Sequence, residues 1–139
     1  MESRGKRFRK NPDTNPVVLE VARMLQLSAS SGSDLGALND RLHDTWFAVS
    51  EVIWDQLSRT VSIHAGPSTR ESDARHDSLL LVIGGVSSCN IEDQQKIDRY
   101  DIDQVQYDAS RGKLRVLTTI PTRFECEVTS LSLSLVVEP

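Results

Sequence analysis

From Thr45 onward apolar residues recur at every second position, the period of a strand with one buried face. Phe47, Val49 and Ile53 hold one parity, while Trp46, Ala48, Val52 and Trp54 hold the other. That first segment is therefore either covered on both sides or bulged near Ser50-Glu51. Asp55 to Arg59 reads as a turn, after which Val61, Ile63 and Ala65 alternate with Thr60, Ser62 and His64, a hairpin with one wet face. Residues 66–78 form a polar loop. Leu79 to Ile83 is an uninterrupted apolar run, as in a central strand, and Gly84-Gly85 predicts a bend or a close backbone approach.

Tyr107 to Leu114 joins two further alternating segments, with Gly112 placed for the left-handed residue of a type I turn plus bulge. Trp54-Asp55-Gln56-Leu57-Ser58-Arg59 and Tyr107-Asp108-Ala109-Ser110-Arg111 are alike because both read as an Asp bonding its own backbone before a solvated Ser-Arg. The return strand carries Leu114 and Val116 and stops by Pro121. Phe124, Cys126 and Val128 open the last strand, and the apolar parity then slips by one to Leu131, Leu133, Leu135 and Val137. Such a slip marks a bulge at the corner of a sandwich or barrel. The pattern predicts a mainly β fold of about six antiparallel strands, as a sandwich or partly open barrel, with one N-terminal helix.

Before Thr45 the period is helical. Asn15 or Thr14 caps a helix with Pro16 at its first position, and Val17, Val21, Met24, Leu25 and Ser28 line one face. Residues 28–33, rich in Ser, read as a flexible connector, and Leu35, Leu38 and Leu42 predict a short second helical turn over Asp34 to Leu42. The organisation expected is a disordered basic tail over 1–14, a helix and Ser-rich connector over 15–33, and an antiparallel β domain over 34–139.

Composition refines this picture. The 139 residues are 38% hydrophobic and only 5% aromatic, so the core is aliphatic. Net charge is −4, unevenly placed: Arg4, Lys6, Arg7, Arg9 and Lys10 stand against Glu2 in the first ten residues. The acidic body does not attract nucleic acid or an anionic membrane by itself; only the tail could, and it reads first as a solvated terminus. No apolar run approaches the roughly 20 residues of a membrane span. Asn11 to Pro16 stands where the apolar region of a secretory signal would follow, which points to a cytoplasmic protein. Cys89 and Cys126 lack any metal-binding spacing and are expected as free thiols, Cys126 in the core and Cys89 accessible.

Candidate chemistry is sparse. The strip Asp93, Asp98, Asp101, Asp103 and Asp108 offers oxygen ligands to a hard cation, and Asp101 and Asp103 share a strand face where no bulge intervenes. The same strip reads first as a charged, solvated edge that blocks aggregation. His43-Asp44 and His76-Asp77 are sequence neighbours, which puts their side chains on different sides of the backbone rather than in contact. Asp44 is placed to lock the entry to the first strand. His43, Asp44, Asp98, Asp101 and Asp103 are thus the candidate metal or small-ligand residues. Trp46 and Trp54, at even separation, read as core packing before a stacking face. No G-x-S-x-G, H-E-x-x-H, P-loop or G-x-G-x-x-G stretch occurs, so no catalytic residue and no cofactor are assigned.

The succession Leu42-His43-Asp44, a Trp-rich strand ending in Asp55, Arg59-Thr60-Val61-Ser62-Ile63, and a Leu-Leu-Leu-Val-Ile strand resembles small uncharacterised bacterial β-sheet proteins of no named family. The likeness spans roughly residues 42–137 and implies a β domain, with no catalytic residue carried over. The function expected is a non-catalytic binding or protein-interaction module whose partner is protein, including a second copy of itself. The alternative is a metal- or small-ligand-binding enzyme using His43, Asp44 and the acidic residues of 93–108.

Overall fold

The computed structural model describes residues 25–66 and 78–138. The expected basic tail, the first part of the expected helix and the loop 67–77 with His76 lie outside the described residues. Ten strands are present among those described: β1 Leu25–Ala29, β2 Trp46–Ala48, β3 Ile53–Asp55, β4 Thr60–Ala65, β5 Ser78–Ile83, β6 Val86–Ile91, β7 Arg99–Asp108, β8 Lys113–Thr118, β9 Phe124–Val128 and β10 Leu133–Glu138. One α-helix, α1, spans Leu35–Leu42. The strands build two five-stranded sheets, ordered β1-β10-β5-β4-β3 and β2-β7-β8-β9-β6. Every pairing within them is antiparallel.

The sheets share continuous stretches of chain. β5 passes into β6 at Gly84-Gly85, and β9 passes into β10 at residues 129–132. Because β5 pairs with β10 and β6 with β9, the two bent segments turn the corner side by side. The Gly84 N–H donates to the Ser132 carbonyl at 2.8 Å and the Thr129 N–H to the Gly85 carbonyl at 3.0 Å. Gly85 stands at φ 67°, a conformation that glycine adopts without a Cβ penalty. The parity slip has its expected meaning: Val128 and Leu131, three residues apart, are both buried on either side of the corner.

The segment around Ser50-Glu51 is broken rather than covered on both faces. A 3-10 turn over Val49–Glu51 separates β2 from β3 and sends them to different sheets. Trp46 and Trp54 therefore do not share a strand. β5 is internal to its sheet, as its apolar run predicts, and Val61, Ile63 and Ala65 of β4 are buried while His64 is exposed. The strand count exceeds six because these breaks divide long alternating segments and because β1 and β6 carry weak patterns of their own.

The core joins both inner faces. Phe47 meets Phe124 edge-on at 5.6 Å between centroids and lies 6.3 Å from Tyr100, amid Ile63, Leu81, Ile83, Ile102, Leu114 and Leu135. Each such aliphatic side chain contributes about 1.5–3 kcal/mol through burial.

The N-terminal region corrects the helical reading of residues 25–27. Leu25–Ala29 is a strand, in register from Leu25↔Val137 to Ala29↔Leu133. The edge of β10, more than a hundred positions away in sequence, satisfies its backbone, a long-range effect that outweighs local helical spacing. The Ser-rich stretch is not a loose connector either. Asp34 Oδ2 accepts from the Ser30 N–H, the Ser31 N–H and the Ser31 hydroxyl at 3.1–3.2 Å, which closes a 3-10 turn over Gly32–Asp34 leading into α1. These donors hold the Asp34 carboxyl below the ordinary carboxylate range. Leu35, Leu38 and Leu42 are buried, as their spacing predicts, and α1 lies against β1 of one sheet and β7 of the other.

Candidate functional site

β7 is ten residues long, but β2 pairs with it only from Arg99 to Asp101. Beyond that point a non-strand neighbour takes over. The Asp44 N–H donates to the Ile102 carbonyl at 2.9 Å, and the Ile102 N–H donates to the Thr45 carbonyl at 2.7 Å. The His43 ring nitrogen Nδ1 lies 3.0 Å from the Asp103 carbonyl. Then Asn39 of α1 presents its carboxamide to Val105: Oδ1 accepts the Val105 N–H at 2.7 Å and Nδ2 donates to the Val105 carbonyl at 3.1 Å. A side-chain amide thus takes the place of a strand residue.

A bulge at Asp103 makes this possible. The β7–β8 register runs Ile102↔Thr118 and then Gln104↔Leu117, leaving Asp103 as the extra residue. Ile102 and Val105, an odd distance apart, are both buried as a result. Asp101 and Asp103 therefore do not continue one regular strand face, which corrects the unbulged expectation.

His43 and Asp44 correct a second expectation. Asp44 has φ 67°, so the chain there is left-handed rather than extended, and the neighbouring side chains meet. His43 Nε2 lies 3.6 Å from Asp44 Oδ2, and Nδ1 lies 3.6 Å from Asp103 Oδ1. The structure thus gathers His43, Asp44 and Asp103 at the end of α1, where they fasten the helix to β7.

The other acids organise turns. Asp98 accepts from the Ser50 N–H at 2.8 Å and the Ser50 hydroxyl at 2.9 Å, holding the β2–β3 break, while Asp101 pairs with Trp46. Asp93 accepts from the Tyr100 hydroxyl at 2.5 Å and from the Ile97 and Asp98 N–H groups at 3.0 Å. The Tyr100 bond is the main reason that its carboxyl sits below the ordinary range. Asp55 and Asp108 bond the N–H groups of their own turns, as their shared pattern predicts. Among the described residues, no three His, Cys, Asp or Glu side chains are arranged to hold a metal ion.

Trp46 lies under the Arg99 guanidinium, 4.1 Å from its ring centroid, and over Gly66, where an added Cβ would fall 2.3 Å from the indole. Trp54 packs against the core from β3. Cys126 is buried as expected. Cys89 is half-buried and stands directly opposite it in the β6–β9 register.

A groove of about 410 Å³ opens where α1 leaves the β7 edge, lined by Leu35, Asn39, Gln106, Tyr107 and, from the hairpin, Lys113 and Arg115. Backbone groups alternate sides along a strand, so with Val105 turned to Asn39, Tyr107 turns its N–H and carbonyl the same way. No described strand pairs with residues 106–108 of β7 on that side. The outer face behind the groove is charged in rows: Arg115 Nε lies 3.0 Å from Glu125 Oε2, and Lys113 Nζ lies 3.7 Å from Glu125 Oε1. The Arg115 hydrogen bond is the main cause of the lowered Glu125 pKa. Sequence reasoning missed this groove, because only the bulge at Asp103 and the position of α1 create it. Asn39, a polar residue beside the Leu stripe of a short helix, is the one local signal.

The fold and groove define a two-sheet antiparallel β domain with a partly covered strand edge. No family model, curated protein or solved structure matches the chain. No helix among the described residues is long and apolar enough to cross a membrane.

Proposed function

We propose that the chain is a non-catalytic protein-interaction module that takes an extended peptide segment as an added strand along β7. The observation that carries this reading is the Asn39 carboxamide bonded to both backbone groups of Val105, beside the stretch Gln106–Asp108, whose edge away from β8 is paired by no described strand. Asn39 completes the first rung, and a peptide in the groove completes the next at Tyr107. Main-chain hydrogen bonds supply affinity in such strand addition, and flanking side chains supply choice of sequence. Lys113, Arg115 and Asp108 beside the groove, the two cations paired with Glu125, favour a segment with polar side chains of both signs. The segment comes from another protein or from a second copy of this chain, and the mass in solution separates the two.

The test is selection of binders from a random peptide library, followed by amide chemical-shift mapping. Binding that moves the Tyr107 amide and fails when alternate peptide nitrogens are N-methylated supports strand addition. Selected peptides that leave Tyr107 unmoved, or that tolerate N-methylation at every position, overturn it.

A further inference from the structure

We propose that Cys89 and Cys126 form a redox-active dithiol that a low-molecular-weight disulfide of the glutathione type converts to a cross-strand disulfide. The two residues are direct register partners of β6 and β9, with sulfurs 3.3 Å apart. Direct partners in an antiparallel pair have Cα atoms about 4.5 or 5.5 Å apart, and both values lie within the range a disulfide spans. A modest side-chain rotation brings the sulfurs to bonding distance without moving a strand.

The pair is asymmetric. Cys126 is fully buried between Leu114 of β8 and the β6 edge, whereas Cys89 is only partly buried, on the outermost strand of its sheet. A dissolved disulfide therefore reaches Cys89 first. The two sulfurs share a hydrogen bond, which lowers the Cys89 pKa, while the same bond and burial push the Cys126 thiol up. The accessible sulfur is thus the more readily ionised one, as nucleophilic attack requires. The Cys89 thiolate attacks one sulfur of oxidised glutathione, the glutathione S–S bond breaks, and one glutathione thiolate leaves. Cys126 then loses its proton to solvent and attacks the Cys89 sulfur, expelling the second glutathione thiolate. Two electrons pass from the cysteines to the glutathione pair, and the leaving thiolates take up the two protons. The product staples β6, an edge strand whose one neighbour among the described strands is β9, across 37 positions of sequence.

The experiment equilibrates the folded full chain with a series of oxidised-to-reduced glutathione ratios, quenches with acid and reads intact mass. Expected is a species lighter by two hydrogens and still a single chain, restored by dithiothreitol and melting roughly 10 °C higher. Cys126→Ala should stop at one glutathione on Cys89, and Cys89→Ser should take up none. The wild-type mass series decides even if a variant fails to fold. A native chain that keeps both thiols at every ratio, stops at the mixed disulfide, or oxidises only between chains or after unfolding overturns the proposal.

Discussion

The Asn39 carboxamide pairs with the Val105 backbone as a strand neighbour would, one bond at 2.7 Å and one at 3.1 Å. Asn39→Ala leaves a part-buried N–H and carbonyl without these partners. The expected cost is about 1–3 kcal/mol, read as a lower urea midpoint, with faster hydrogen exchange at the Val105 amide. Asn39→Asp retains the acceptor but sets a carboxylate oxygen against the Val105 carbonyl, so it should fall below wild type as well. An alanine variant of unchanged stability and exchange would remove the bond pair from any structural role.

Asp44 adopts φ 67° at the junction of α1 and β2, where its N–H reaches the Ile102 carbonyl. Asn enters the left-handed region as easily as Asp, whereas a β-branched side chain does so at a cost of about 1–2 kcal/mol. Asp44→Asn should therefore stay within about 0.5 kcal/mol of wild type while Asp44→Val loses about 1–2 kcal/mol. Equal stabilities for the two variants in urea titration would refute the left-handed turn.

Several of these features are visible in the sequence and several are not, for a physical reason. Alternation in β4, the Leu stripe of α1, the hairpin at Gly112 and the parity slip before Leu131 depend on neighbours within a few positions, and the structure has each of them. β1 and β6 depend on partners far along the chain. Leu25, Leu27 and Ala29 alternate, but Leu25 also continues a helical face with Val21, and only β10 decides between the two. The Cys89–Cys126 contact follows from the β6–β9 register, which no local pattern specifies. The groove hangs on one extra residue, Asp103, whose bulge changes the side chains presented by the rest of β7.

Gly112 has φ 62°, and a Cβ built there would lie 2.9 Å from the Val128 carbonyl oxygen. The Gly112 carbonyl also accepts the Val128 N–H at 2.8 Å, so neither backbone can retreat without losing that bond. Gly112→Ala should cost about 2 kcal/mol or more through strain and contact together, lowering the melting temperature by several degrees. A melting temperature within one degree of wild type would contradict this hairpin geometry.

Asp93 sets the expected response to acid. The Tyr100 hydroxyl, then the Ile97 and Asp98 N–H groups, hold its carboxyl below the ordinary value in the folded chain. The unfolded chain, with an ordinary carboxyl, binds that proton more tightly, so the stability Asp93 contributes is complete above the unfolded value and is lost as pH falls toward the folded one. Urea midpoints measured from about pH 6 down to about pH 3 should therefore fall. Asp34, Asp55, Asp108 and Glu125 are shifted in the same direction and add to that slope. Asp93→Asn should be less stable than wild type at neutral pH, because it loses the charge that these donors favour, and the two curves should converge in acid. Parallel curves over the whole range would show that the Asp93 carboxylate does not link protonation to folding.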